Sequence, residues 1–127
     1  KGESTVGCHN LGILYKNGYG VEQDYSKAFE HFKQACEGGY ADGCSNIGFA
    51  YHYGQGVRRN YSSALKYYQK ACDEGSAVGC YNIGILYENG QGVKQNERIA
   101  RKFYDKACDL GYQDGCDAYK ELGGRNY

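Results

Sequence analysis

Small and apolar residues recur along this chain at helical spacing, in two segments of every 36-residue stretch. Within residues 41–76, Cys44, Ile47, Gly48 and Tyr51 fall at i, i+3, i+4 and i+7, the spacing of one helix face. Ala64, Tyr68, Ala71 and Cys72 fall at i, i+4, i+7 and i+8 and mark a second. Between the two faces lies G-x-G-V, at Gly54–Val57 and again at Gly18–Val21 and Gly90–Val93. The first glycine suits a left-handed helix stop, the second a tight turn. Asp24, Asn60 and Asn96 then stand where the N-caps of a following helix belong. The pattern predicts helices A over 6–17, 42–53 and 78–89, and helices B over 25–37, 61–73 and 97–109. The fold class is all-α.

Three units of one period follow, at residues 5–40, 41–76 and 77–112, with a tail at 113–127. Twelve columns are identical in all three, among them Asn10/Asn46/Asn82, Gly12/Gly48/Gly84, Tyr15/Tyr51/Tyr87 and Ala28/Ala64/Ala100. A period of this length is the mark of a solenoid, in which each unit buries its apolar face only against its neighbours. The sequence is thus expected to form one solenoid domain over 1–127. The glycines at 12, 48 and 84 sit inside helices, where each costs about 1 kcal/mol relative to alanine. Helices must therefore approach closely there, and Ala28, Ala64 and Ala100 are the expected small counterparts. Tyr15, Tyr51, Tyr87, Phe32, Tyr68 and Tyr104 would fill the remaining core. In the tail, Ala118, Lys120 and Gly123 replace the repeat's Asn, Gly and Tyr, as expected of a polar capping helix over 113–127.

Charge narrows the partners. With 15 basic and 15 acidic residues the formal net charge is zero, without the surplus that nucleic-acid binding needs. The apolar runs are a few residues long, so none spans a bilayer. No signal peptide is visible, and a start at Lys1 without methionine suggests a mature form or an excised piece.

The seven cysteines form two columns, Cys8/Cys44/Cys80/Cys116 and Cys36/Cys72/Cys108. Cys36–Cys44, Cys72–Cys80 and Cys108–Cys116 each join the end of a helix B to the start of the next helix A. A short connection between antiparallel helices brings such positions within disulfide reach. Zinc is the rival, but the C-x7-C spacing offers no knuckle, and His9, His31 and His52 share no column. No metal or other cofactor is expected. Three bridges imply an oxidising compartment, so the protein is expected to be secreted or periplasmic. Cys8 is left over: its partner would fall one residue before Lys1, as though the array once continued in that direction. It is expected to be a free thiol exposed at a cut end, on a monomer that this thiol could link into a dimer.

The motif G-C-x-N-[IL]-G-x-x-Y-x-x-G-x-G-V, followed by A-x-x-x-[YF]-x-[KQ]-A-C, resembles the Sel-one-like repeat. Its C-x7-C pairs are similar to the cysteine-rich branch, of the Helicobacter cysteine-rich protein type. The resemblance covers residues 5–116 and implies a right-handed α/α superhelical solenoid related to tetratricopeptide arrays. It also implies a binding scaffold, and, from some cysteine-rich members, penicillin binding or weak β-lactamase activity.

The A helices of such a solenoid line its concave face. Asn46, Phe49 and Tyr53 point away from the core there, flanked by Ser45 and His52; Asn10, Ile13 and Asn17, and Asn82, Ile85 and Asn89, are their equivalents. An asparagine rung every 36 residues offers an acceptor and two donors, suited to the backbone of an extended peptide. It would serve equally to fix one helix to the next. The His9/Ser45/Tyr81 and Lys16/His52/Glu88 columns vary, as positions that set specificity would and as free surface positions also do. A protein or peptide ligand in this groove is the expected partner. For catalysis, Ser63-Ala64-Leu65-Lys66 is formally S-x-x-K, which puts a serine and a lysine one helical turn apart. Neither S-D-N nor K-T-G accompanies it, and the other units carry Lys27–Glu30 and Ile99–Lys102 at the same place. Ser63 and Lys66 are therefore weak catalytic candidates on a helical surface.

Overall fold

The computed structural model describes residues 5–123. It consists of α1 (Thr5–Asn17), α2 (Tyr25–Glu37), α3 (Ala41–Tyr53), α4 (Tyr61–Asp73), α5 (Ala77–Asn89), α6 (Glu97–Asp109) and α7 (Gln113–Glu121), with no strand among the described residues. The even-numbered helices span the residues that the spacing predicts, and α1, α3 and α5 begin one residue earlier.

Local chemistry sets these limits. Asp24, Asn60 and Asn96 accept the backbone N–H of Lys27, Ser63 and Ile99, satisfying a donor that the first helical turn leaves free. At the other end of the A helices, Gly54 (φ 69°) and Gly90 (φ 67°) are left-handed, a conformation with little steric cost only for glycine. The turn from helix B to the next helix A is the same at each boundary. Tyr40, Ser76 and Tyr112 each donate a backbone N–H to Ala35, Ala71 and Ala107. That turn sets the cysteines side by side, and disulfides join Cys36–Cys44, Cys72–Cys80 and Cys108–Cys116, with Cα atoms 4.6–4.7 Å apart.

Two overlapping clusters form the core. Phe32, Cys36, Cys44, Ile47 and Ala71 centre one; Tyr68, Cys72, Cys80, Ile83, Leu86 and Ala107 centre the other. The interior glycines do mark close approach, but not to alanine as the sequence suggests. A Cβ at Gly12, Gly48 or Gly84 would lie within about 2.6 Å of the ring of Phe32, Tyr68 or Tyr104. The ring lies flat on the bare backbone, and Ala28, Ala64 and Ala100 are buried nearby. The outer tyrosines stack within their own units, Tyr15 on His31 (5.6 Å), Tyr51 on Tyr67 (5.8 Å) and Tyr87 on Phe103 (6.3 Å).

Cys8 differs from expectation. It is free but buried, only 7% exposed, with its Sγ donating to Gln34 Oε1 at 3.6 Å. Packing of α1 on α2 covers the sulfur.

Candidate binding groove

The turn and disulfide that tie α3 to α2 and α5 to α4 repeat the same packing, so the A helices fall along one face. His9 and Ile13 from α1, Asp42, Ser45 and Asn46 from α3, and Val78 from α5 line a cavity of about 210 Å³. Its lining sets the apolar side chains of Ile13 and Val78 beside polar and charged ones. Asp42 and Val78 share a column that the sequence reading passed over, since an aspartate between two valines (Val6, Asp42, Val78) breaks the repeated signal.

The three asparagines of the ladder are not equivalent. Asn10 is exposed, Asn46 is half-buried and Asn82 is 7% exposed. Asn46 Nδ2 donates to His9 Nε2 (2.9 Å), which ties α3 to α1 and leaves the His9 proton on Nδ1, a nitrogen with no hydrogen-bond partner. Burial lowers the pKa of His9, a shift that the nearby Asp42 carboxylate opposes. Ser45, expected at the groove surface, is buried; its hydroxyl lies 2.7 Å from Ser76 Oγ, which donates to Asp42 Oδ1 and accepts the N–H of Gly79. That chain of hydroxyls serves as the N-cap of α5.

Further along the groove the surface becomes aromatic. Phe49 and Tyr53 have ring centroids 4.5 Å apart, and Tyr53 is 52% exposed. Lys16 Nζ sits 4.3 Å from the centre of the Phe49 ring, and burial lowers its pKa. Ile13 and Ile85, in the same column as Phe49, are half-buried.

The two variable columns prove to be internal contacts. His52 is buried between Tyr68 OH (3.0 Å to Nδ1) and Gln91 Oε1 (3.1 Å to Nε2), and burial lowers its pKa. In the next unit the Tyr104 hydroxyl donates to Glu88, and burial, then Glu88, raises the Tyr104 pKa. In the first unit Phe32 has no hydroxyl, and the matching Lys16 turns to Phe49 instead. The other column behaves alike: His9 packs on Tyr40 (4.9 Å), Ser45 bonds Ser76, and Tyr81 packs on Tyr112 (5.2 Å). The variation goes with an exchange of contacts, some inside a unit and some across a unit boundary, as with Lys16 on Phe49 and His52 on Gln91.

Ser63 and Lys66 lie on α4, away from this groove. The Ser63 backbone N–H is taken by Asn60, and Lys66 is exposed with Nζ 5.7 Å from the Tyr67 ring centre. Another cavity, of about 330 Å³, lies between α2 and the turn at Gly56–Val57 and is lined by His31, Lys27 and Glu30 among others. Among the described residues no cluster of histidine, cysteine and carboxylate could hold a metal ion, and no helix is long and apolar enough to cross a membrane.

The sequence matches the Sel1 repeat at residues 5–40, 41–76 and 77–112, the units that the period defines. The chain belongs to the Sel1 repeat family. No curated protein matches it. Among solved structures, a Sel1 repeat protein from Oxalobacter formigenes is similar at 28% identity and a TM-score of 0.87, over 93% of this chain and 48% of that one. A protective antigen present in uropathogenic Escherichia coli strains gives 32% identity and 0.86, over 93% and 25%. The Helicobacter pylori cysteine rich protein B gives 32% and 0.73, over 89% and 87%. The chain thus spans about half of the Oxalobacter protein and a quarter of the Escherichia one. As a Sel1 repeat chain it is a right-handed α/α solenoid, a scaffold fold typical of protein-interaction modules. Its disulfides and its likeness to the Helicobacter protein point to an oxidising, extracytoplasmic environment.

Proposed function

We propose that the Sel1 repeats here hold an extended peptide segment of a protein partner, in a secreted or periplasmic setting, along the face shared by α1, α3 and α5. The supporting observation is the 210 Å³ cavity to which all three A helices contribute. It combines apolar walls at Ile13 and Val78 with acceptors at Asp42 and Asn46, the mixture that orients a peptide backbone while reading its side chains. Phe49 and Tyr53 extend the same surface as a platform for a bulky apolar side chain. Asn10 and Asn46 serve as rungs, Ile85 continues the same face onto α5 beyond the cavity, and the buried Asn82 holds the groove's shape.

Peptides selected from a displayed random library, then titrated by calorimetry, test this reading. Val78→Arg and Asn46→Ala should each weaken the selected peptides at least ten-fold, with thermal melting nearly unchanged for Val78→Arg because that side chain is exposed. Undiminished binding to Val78→Arg, or a library that yields no ligand, would remove the groove from the account.

A further inference from the structure

The cavity between α2 and the turn at Gly56–Val57 measures about 330 Å³ and shares no lining residue with the groove cavity. Its walls are held from outside. A Cβ at Gly56 (φ 84°) would collide with the Tyr25 carbonyl, so the turn rests as bare backbone on the first turn of α2. Phe29 stands edge-on to Tyr51, with ring centroids 5.6 Å apart, and His31 lies parallel to Tyr15 at 5.6 Å. Lys27 Nζ sits 5.5 Å from the centre of the same Tyr15 ring. Lys27 and Glu30 are three residues apart on α2 and both line the cavity, yet no ion pair joins them; the ion pair among the described residues is Lys70–Glu74. His31 Nδ1 is closed to solvent and has no hydrogen-bond partner, an uncommon state for a buried polar atom. The frame repeats in the next unit, where a Cβ at Gly92 would lie 2.7 Å from Tyr61 Cβ, but the chemistry does not. In the columns of Lys27, Glu30 and His31 the next units carry Ser63, Lys66 and Tyr67, then Ile99, Lys102 and Phe103. The two opposite charges belong to this copy alone and are not demanded by the repeat's packing.

We propose that this cavity binds a free apolar α-amino acid as its zwitterion. The carboxylate pairs with Lys27 beside the His31 imidazole, the ammonium pairs with Glu30, and the side chain lies between Phe29 and Val57. Size and charge select this class. Ligand pockets run from about 300 to 1,000 Å³, so this one admits a small molecule and not a peptide strand. A simple anion meets Glu30 and a simple cation meets Lys27. A molecule that carries both charges a few bonds apart satisfies both side chains at once, through charge-assisted hydrogen bonds. Lys27 and Glu30 are exposed, so either pairing alone is weak in water, and binding needs the two together with burial of an apolar side chain. The site is independent of the peptide groove, and neither reading rests on the other.

The test is a titration of the intact, disulfide-bonded protein, labelled with nitrogen-15, by L-leucine, N-acetyl-L-leucine, L-leucinamide and glycine, followed by amide chemical shifts. Leucine should move the amides of residues 26–31 and 56–57 and leave those of the groove in place. It should bind at least ten-fold more tightly than the acetylated form, which lacks the ammonium, the amide, which lacks the carboxylate, and glycine, which lacks the side chain. Glu30→Gln should bring leucine down to the level of N-acetyl-leucine, and Lys27→Gln to that of leucinamide. Both side chains are exposed, so the spectra of the free variants should otherwise match the parent. Absence of shifts, shifts that map to the groove instead, an analogue that binds as well as leucine, or a variant that keeps the full preference would each overturn the proposal.

Discussion

At the scale of single residues, the unusual pieces are a buried histidine and glycines under rings. His52 is 2% exposed and its pKa is lowered by burial. The folded state therefore takes up a proton less readily than the unfolded chain, whose histidine titrates near 6.5. Its contribution to stability is complete above that pH and is lost progressively as the pH falls toward the depressed native value. Burial of His9 acts in the same direction. The urea midpoint should thus fall between pH 7.5 and 5.5, and His52→Gln, whose side chain does not titrate, should flatten the dependence. An unchanged slope in that variant would mean the ring is not what responds. Gly48 makes a separate point. Alanine at an ordinary helical site gains about 1 kcal/mol, but here its methyl would enter the ring of fully buried Tyr68. Overpacking costs about 1–3 kcal/mol, so Gly48→Ala should lose about 0–2 kcal/mol net in urea titration rather than gain stability.

Between elements, the Lys16/Phe32, His52/Tyr68 and Glu88/Tyr104 pairs show helix A and helix B of one unit adjusting to each other. Tyr104 donates to a carboxylate, a charge-assisted bond worth about 1.5–3 kcal/mol when well shielded. Glu88 is half-buried, so a coupling of about 1 kcal/mol between Tyr104→Phe and Glu88→Gln is expected from a double-mutant cycle. Additive effects would show that the two side chains do not depend on each other. These pairs also show what the sequence makes legible. Helix limits were readable because caps and left-handed stops are local: Asn60 and Gly54 act within a few residues of themselves. The disulfides were readable because a constant short turn fixes both cysteines. The fate of Ser45 and His52 was not, because their partners Ser76 and Gln91 lie more than 30 residues further along the chain. A signal did exist. The B-helix aromatic is a tyrosine where the facing A-helix residue can accept its proton, and a phenylalanine where that residue is lysine.

Over the whole molecule, stability is a chain of neighbour terms, since each helix pair touches only the pairs beside it. A solenoid of this length has few boundaries, and three of them carry a bridge across the same turn. Each bridge closes a loop of eight residues' separation and contributes about 2–3 kcal/mol through the entropy it removes from the unfolded chain. Three such terms are comparable with the 5–15 kcal/mol that holds a typical domain together. Reduction is therefore expected to reach all repeats, since loosening one boundary removes the cover from the apolar columns of the next. Far-UV ellipticity followed at 37 °C after adding dithiothreitol should show broad loss of helix, while the oxidised protein stays folded. Thiol titration of the denatured, unreduced protein supplies the count that makes this interpretable, and one reactive thiol per chain, Cys8, is expected. Seven would mean that the bridges do not form, and with them would go the case for an oxidising environment. One thiol with helicity untouched by reductant would instead mean that the ring-on-glycine packing suffices, and that the bridges guard against unfolding rates rather than set the equilibrium.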